Sequence, residues 1–104
     1  RVTILSGSDD FSGESLVGPC IPKEFKPGLV TGLVTIRRHA AIGAHSIIMP
    51  GITIGEGAVV GAMSFVNKDL EPWTVYKGSP ARRAKERSKK MLELEEKFLN
   101  HGYY

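Results

Sequence analysis

Three groups of side chains in this chain could do chemistry. Asp9 and Asp10 stand side by side, His39 and His45 lie six residues apart, and the stretch from Arg82 to Lys90 holds six basic residues and one acidic. Adjacent carboxylates raise one another's pKa, which can bring one of them into the range of a general base. A histidine can serve as a base or as a metal ligand. A cationic run has room for a bound anion. Each group also has a plainer reading, since adjacent acids at a loop start commonly form turns and charge runs commonly cover a solvated face.

The elements that must position these groups are set by a count of six. Ile36, Ile42, Ile48, Ile54, Val60 and Val66 recur without a break, and Ala40, Ser46, Ile52, Ala58 and Ser64, small in four places of five, each fall two residues ahead of the next aliphatic. A helix would need apolar residues three and four apart, and a strand strict alternation. Short aliphatic pieces cut by Gly43, Gly55, Gly61 and Pro50-Gly51 instead require a corner after every few extended residues. Coils then stack, with the aliphatics as an inward ladder and the small residues at the tight corners. This is the hexapeptide signature of a parallel β-helix, an all-β fold.

Around that stack the chain divides into a β-helix domain over 1–79, a helix over 80–99 and a tail over 100–104. Residues 1–8 read as one more strand, with Ile4 in the aliphatic place and Ser8 in the small one. An inserted loop runs from about 9 to 33 and carries Pro19, Pro22 and Pro27. Irregular stretches of that length usually have a task. Residues 67–72 read as the exit from the stack and Trp73–Tyr76 as a last extended piece. Ser79 and Pro80 read as the cap and first residue of the helix, with Met91, Leu94 and Phe98 on one face. Arg82, Arg83 and Lys85 would then crowd the positive end of the helix dipole, a conflict that a bound anion would relieve.

At 104 residues and a net charge of +3 there is room for one domain with a thin core. Outside residues 82–90 there are eight basic and ten acidic residues, so the positive charge is local. Nothing in this balance asks for a nucleic acid. One cysteine, Cys20, allows no internal disulfide, and no apolar run reaches membrane-spanning length. With no leader visible, a cytoplasmic location is expected. The sequence opens without an initiator methionine, directly on strand-like Val2-Thr3-Ile4, which suggests further coils upstream.

The ladder, the loop that interrupts it, the run from Ile42 to Gly55 and the ending Gly78-Ser79-Pro80-Ala81-Arg82 resemble the hexapeptide-repeat acyltransferases. The likeness is greatest to galactoside and maltose O-acetyltransferases and the sugar acetyltransferases of surface-polysaccharide synthesis. The resemblance implies a left-handed β-helix that assembles as a homotrimer. It further implies acetyl-CoA as the acyl donor, bound between neighbouring subunits, and a sugar or similar small molecule as the acceptor, through a hydroxyl or less readily an amine. Carried onto this chain, it places Ala44 and Ala62 along the pantetheine arm, Asn67 and Lys68 near the middle of the cofactor, and Arg82 and Lys85 at its phosphates.

One position departs from the family pattern. Relatives carry a histidine at the loop start as the base, where this chain reads Gly7-Ser8-Asp9-Asp10-Phe11. Asp9, with Asp10 raising its pKa, could act as the base, His39 could substitute for it, or the protein could be a non-catalytic or truncated trimeric module. Hexapeptide helices also build zinc sites from histidines of adjacent subunits. A spacing of six puts His39 and His45 on different sides of a triangular coil, so no metal is expected.

Overall fold

Backbone groups cut off from water must find partners, and a coil of very short strands can supply them only from the coils above and below. The structure, a computed structural model, describes residues 1–8 and 12–101. Its strands in chain order are β1 (Thr3–Ile4), β2 (Gly7–Ser8), β3 (Val30–Thr31), β4 (Thr35–Ile36), β5 (Ala41–Ile42), β6 (Ile47–Ile48), β7 (Thr53–Ile54), β8 (Val59–Val60), β9 (Phe65–Val66), β10 (Thr74–Lys77) and β11 (Arg82–Glu86), followed by one helix, α1 (Lys90–Leu99). Thr35 lies over Thr53, Ala41 over Val59 and Ile47 over Phe65, each parallel and each eighteen residues on. Three strands therefore make one circuit, and the stack is a three-sided rod. β1 lies under β6, with Thr3 beside Ile47 and Ile4 beside Ile48, so the first coil continues across the loop.

The aliphatic ladder points inward, as its spacing requires. Ile48, Ile54 and Val66 are fully buried and Val60 nearly so. Each such side chain contributes roughly 1.5–3 kcal/mol by leaving water. Ile4 and Ile36, on the coil with no neighbour beneath it among the described residues, stay 50% and 42% exposed. The small row also faces inward, and its serines do more than save space. Both Ser46 Oγ and Ser64 Oγ donate to the Gly61 carbonyl, at 3.0 and 2.7 Å, while Gly78 N donates to Ser64 Oγ at 3.1 Å. Three successive coils are thus tied at one vertex.

The bends follow the count of six as well. His39, His45, Gly51, Gly57 and Met63 have φ of 59°, 61°, 75°, 69° and 57°, the left-handed region, and Trp73 joins them at 52°. Side chains other than glycine take this region at a cost, which the stacking above and below must offset. The final circuit is shorter, for Val75 lies over Val59 and Leu70 over Ile54, sixteen residues on. Residues 67–72, expected to leave the stack, instead complete its last coil.

The loop is bound by its own contacts. β2 and β3 pair antiparallel and form its neck, which takes Ser8 out of the small row where the repeat would have put it. Within the loop, Leu16 N donates to the Phe25 carbonyl at 2.9 Å and Gly28 N to Ser15 Oγ at 2.7 Å. The chain rejoins the rod at Thr35, whose N–H donates to the Ile52 carbonyl.

The C-terminal part corrects the sequence reading. Helix α1 begins at Lys90, not Pro80, and residues 82–86 form β11, antiparallel to β10. Ser79 caps no helix; the Ser79–Pro80 peptide is cis and lies in the turn between the two strands. The residues of β11 are good helix formers, but β10 would otherwise leave an open edge at the end of the rod, and tertiary pairing outweighs local propensity. The expected clash of Arg82, Arg83 and Lys85 with a helix dipole therefore does not arise. Helix α1 stands off the rod, with Leu94, Phe98 and Leu99 more than half exposed. Glu95 ties it down, pairing with Arg38 and, at 2.8 Å, with His39 Nε2.

Two expectations follow. A Cβ on Gly43 would stand 2.7 Å from the Cα of Ala62 one coil above, so Gly43→Ala should destabilise the rod by about 2 kcal/mol or more, read as a fall in melting temperature. Glu95→Ala should raise amide exchange throughout α1 and leave exchange at Ile48 and Ile54 unchanged; equal protection of α1 in the variant would show that other contacts hold it.

Candidate functional site

Each vertex of the rod is a column of corners, and the candidate residues divide among the three columns. The small-residue vertex stacks Gly43-Ala44 under Gly61-Ala62. Here the coils approach so closely that only small residues fit, and Met63 N donates to the Ala44 carbonyl at 2.8 Å. Ala44 and Ala62 are both exposed, one above the other, and present a smooth edge of backbone. The serine bonds to Gly61 hold that edge from within. Beside it stand His45 and Met63, the latter 76% exposed.

The second vertex carries Pro50-Gly51 and, one coil on, Asn67, Lys68 and Asp69. The loop leaves and rejoins here: Leu5 N donates to the Ile48 carbonyl, and a Cβ on Gly32 would lie 2.9 Å from Gly51 Cα. Asn67 and Lys68 are exposed. Asp69 is not a free carboxylate, since its Oδ1 accepts the Thr53 amide at 2.8 Å. A cleft of about 430 Å³ opens beside this vertex, lined by Lys68, Asp69, Glu71, Tyr76, Arg82 and Arg83. Three cations against two carboxylates leave it net positive, a suitable surface for a phosphorylated molecule. Lys85 lies farther along β11, opposite Val75, and all five residues of that strand are exposed.

The third vertex stacks His39, Gly57 and Trp73. A Cβ on Gly57 would overlap the Trp73 indole, so the glycine is required by the ring above it as well as by its own φ. Trp73 is buried. The Arg87 guanidinium lies over its ring, 5.9 Å from the centroid.

The structure thus brings Lys68 and Arg82 together, with Asn67 on the same vertex, and sets Ala44 beside Ala62 on another. Between those vertices runs the face made by β1, β6 and β9, topped where Ala81 N donates to the Phe65 carbonyl. His39 belongs to neither group. It sits on the third vertex, with its Nε2 paired to Glu95 at 2.8 Å. Asp9 and Asp10 lie outside the described residues. Among the described residues no three His, Cys, Asp or Glu side chains gather as a metal-binding group, and no helix is long and apolar enough to cross a membrane. Sequence reasoning tied Arg83 to an anion through a helix start that the structure does not have, and it did not single out Tyr76 in the basic cleft or Arg87. The exposed Arg-Arg pair was visible, but the strand that places it was not.

Residues 34–68 match the bacterial transferase hexapeptide family of six repeats. The chain is 43% identical over 98 residues to a dTDP-4-amino-4,6-dideoxy-D-glucose acyltransferase of Escherichia coli, covering 94% of this chain and 50% of that protein. It is 45% identical over 53 residues to a galactoside O-acetyltransferase of Escherichia coli, covering 51% of this chain and 26% of that one. Among solved structures, AntD, an N-acyltransferase from Bacillus cereus in complex with dTDP and 3-hydroxybutyryl-CoA, superposes with a TM-score of 0.90 at 48% identity over 97% of this chain and 53% of its own. Identity stays at 48% for AntD variants altered at one serine and is 46% for those altered at one aspartate. The chain spans about half the length of the dideoxyglucose acyltransferase and of AntD. Its repeat, its three-sided rod and its likeness along nearly the whole chain make it a member of the hexapeptide-repeat acyltransferase superfamily.

Proposed function

We propose that the protein transfers an acyl group from a coenzyme A thioester to the amino group of a nucleotide-linked sugar, acting as a homotrimer of left-handed coils. The observation that carries this reading is the likeness, over 97% of the chain, to an N-acyltransferase solved with dTDP-4-amino-4,6-dideoxyglucose and coenzyme A. The site supports it chemically. The exposed edge of Ala44 and Ala62 lets backbone approach the pantetheine arm, and the cleft of Lys68 and Arg82, with Lys85 beyond it, suits the phosphates. These two surfaces lie on separate vertices of one rod. A donor that touches both must cross the face between them or lie between two copies, and the exposed Ile47 and Met63 favour rods packed side by side.

The acidic loop start favours an amine over the hydroxyl to which the sequence alone pointed. A hydroxyl must be losing its proton as it attacks, and imidazole suits that task; a neutral amine is already nucleophilic and sheds its proton only once the new bond forms. In the proposed step the amine nitrogen attacks the thioester carbonyl, the N–C bond forms, and the C–S bond breaks. The proton passes through a carboxylate to the departing sulfur, which leaves as the thiol. This sequence contains three aspartates, Asp9, Asp10 and Asp69. With Asp69 bound to the Thr53 amide, Asp9 and its neighbour Asp10 are the carboxylates assigned to the proton.

Calorimetric titration should show coenzyme A binding, weakened about 30-fold when Arg82 and Lys85 are both replaced by alanine; no binding to the folded protein at millimolar coenzyme A would overturn the proposal. In an acyl-transfer assay dTDP-4-amino-4,6-dideoxyglucose should be acylated and a plain galactoside should not. Asp9→Asn should lower that rate by about a hundred-fold or more with coenzyme A affinity kept, whereas acylation of the galactoside alone would move the reading back to a hydroxyl acceptor.

A further inference from the structure

We infer that Arg87 is a positioning residue for donor binding: it locks β11 onto three stacked corners, and so sets where Arg82 and Lys85 stand. This rests on the acyl-CoA reading above. β11 is the outermost strand of its sheet, fully exposed and paired on one side only, to β10. A bulge between Val75 and Tyr76 further loosens the register of the pair. Such a strand keeps its place only if both ends are held. Ala81, buried, holds the near end through its N–H to the Phe65 carbonyl at 2.8 Å.

Arg87 holds the far end, at the vertex of His39, Gly57 and Trp73. Its N–H donates to the Trp73 carbonyl at 2.8 Å, and its Nη1 donates to the carbonyls of His39 at 2.6 Å and Gly57 at 3.0 Å. One residue therefore engages the corner of every coil in that column while its guanidinium lies over the Trp73 indole. All three corners have left-handed backbone. A lysine ammonium ends one bond short of Nη1 and lacks the planar group that lies over the indole. With its guanidinium engaged by two corner carbonyls and the Trp73 ring, its effect on the donor passes through β11.

A double-mutant cycle tests this, with coenzyme A affinity measured by calorimetry on the native protein, Arg87→Ala, Arg82→Ala/Lys85→Ala and the triple variant. Arg87→Ala should weaken binding about ten-fold in the native background and less than about two-fold once Arg82 and Lys85 are gone. Arg87→Lys should behave as Arg87→Ala does, and it serves the same cycle if the alanine variant fails to fold. Equal losses in both backgrounds would show a general structural role or direct contact, and undiminished affinity in Arg87→Ala or Arg87→Lys would show that β11 needs no clamp; either overturns the inference. A native protein that does not bind coenzyme A rejects the acyl-CoA reading, and this inference with it.

Discussion

Everything in this rod depends on stacking coils at the separation that parallel backbone hydrogen bonds impose, a little under about 5 Å. At the faces that spacing is comfortable, and Ile48, Ile54, Val60 and Val66 fill the interior. At the vertices it is severe. Gly43 presses on the backbone of Ala62, and Gly57 on the ring of Trp73. Since a bulky side chain cannot point into the stack there, each corner either shrinks or turns its side chain outward through a left-handed φ. The first solution gives the bare edge of Ala44 and Ala62; the second puts His39, His45 and Met63 at the bends.

The same constraint accounts for the end of the rod. A parallel stack must stop somewhere, and its last strand then exposes a row of unpaired groups. Here the chain doubles back as β11 and covers β10, which carries Arg82 and Arg83 onto the outer surface beside Lys68, with Lys85 farther along the strand. Edge protection and a basic cleft are therefore one event. Helix α1 is a separate attachment, held by Glu95 against Arg38 and His39, with much of its apolar side left exposed.

Much of this was legible from residues alone. Six aliphatics in register fix the ladder, and the serines and alanines two places ahead fix the corners. The basic run was legible as charge but not as structure, because Arg82 to Arg87 reads locally as a good helix start and only the uncovered edge of β10 makes it a strand. Clamps between distant residues leave no periodic trace: Arg87 meets His39 across 48 residues, and Glu95 meets Arg38 across 57. The left-handed bends at His39 and Met63 were also hidden, since neither residue type announces that conformation. The acidic loop start was visible as a departure from pattern.

Hydrogen exchange with and without coenzyme A reports at the backbone where the donor lies. Addition of coenzyme A should slow exchange at the corner around Gly61–Met63, at residues 67–69 and along Arg82–Glu86, with α1 unaffected. Protection confined to α1 or to the vertex of His39 and Gly57, or none at saturating coenzyme A, would contradict this placement of the donor.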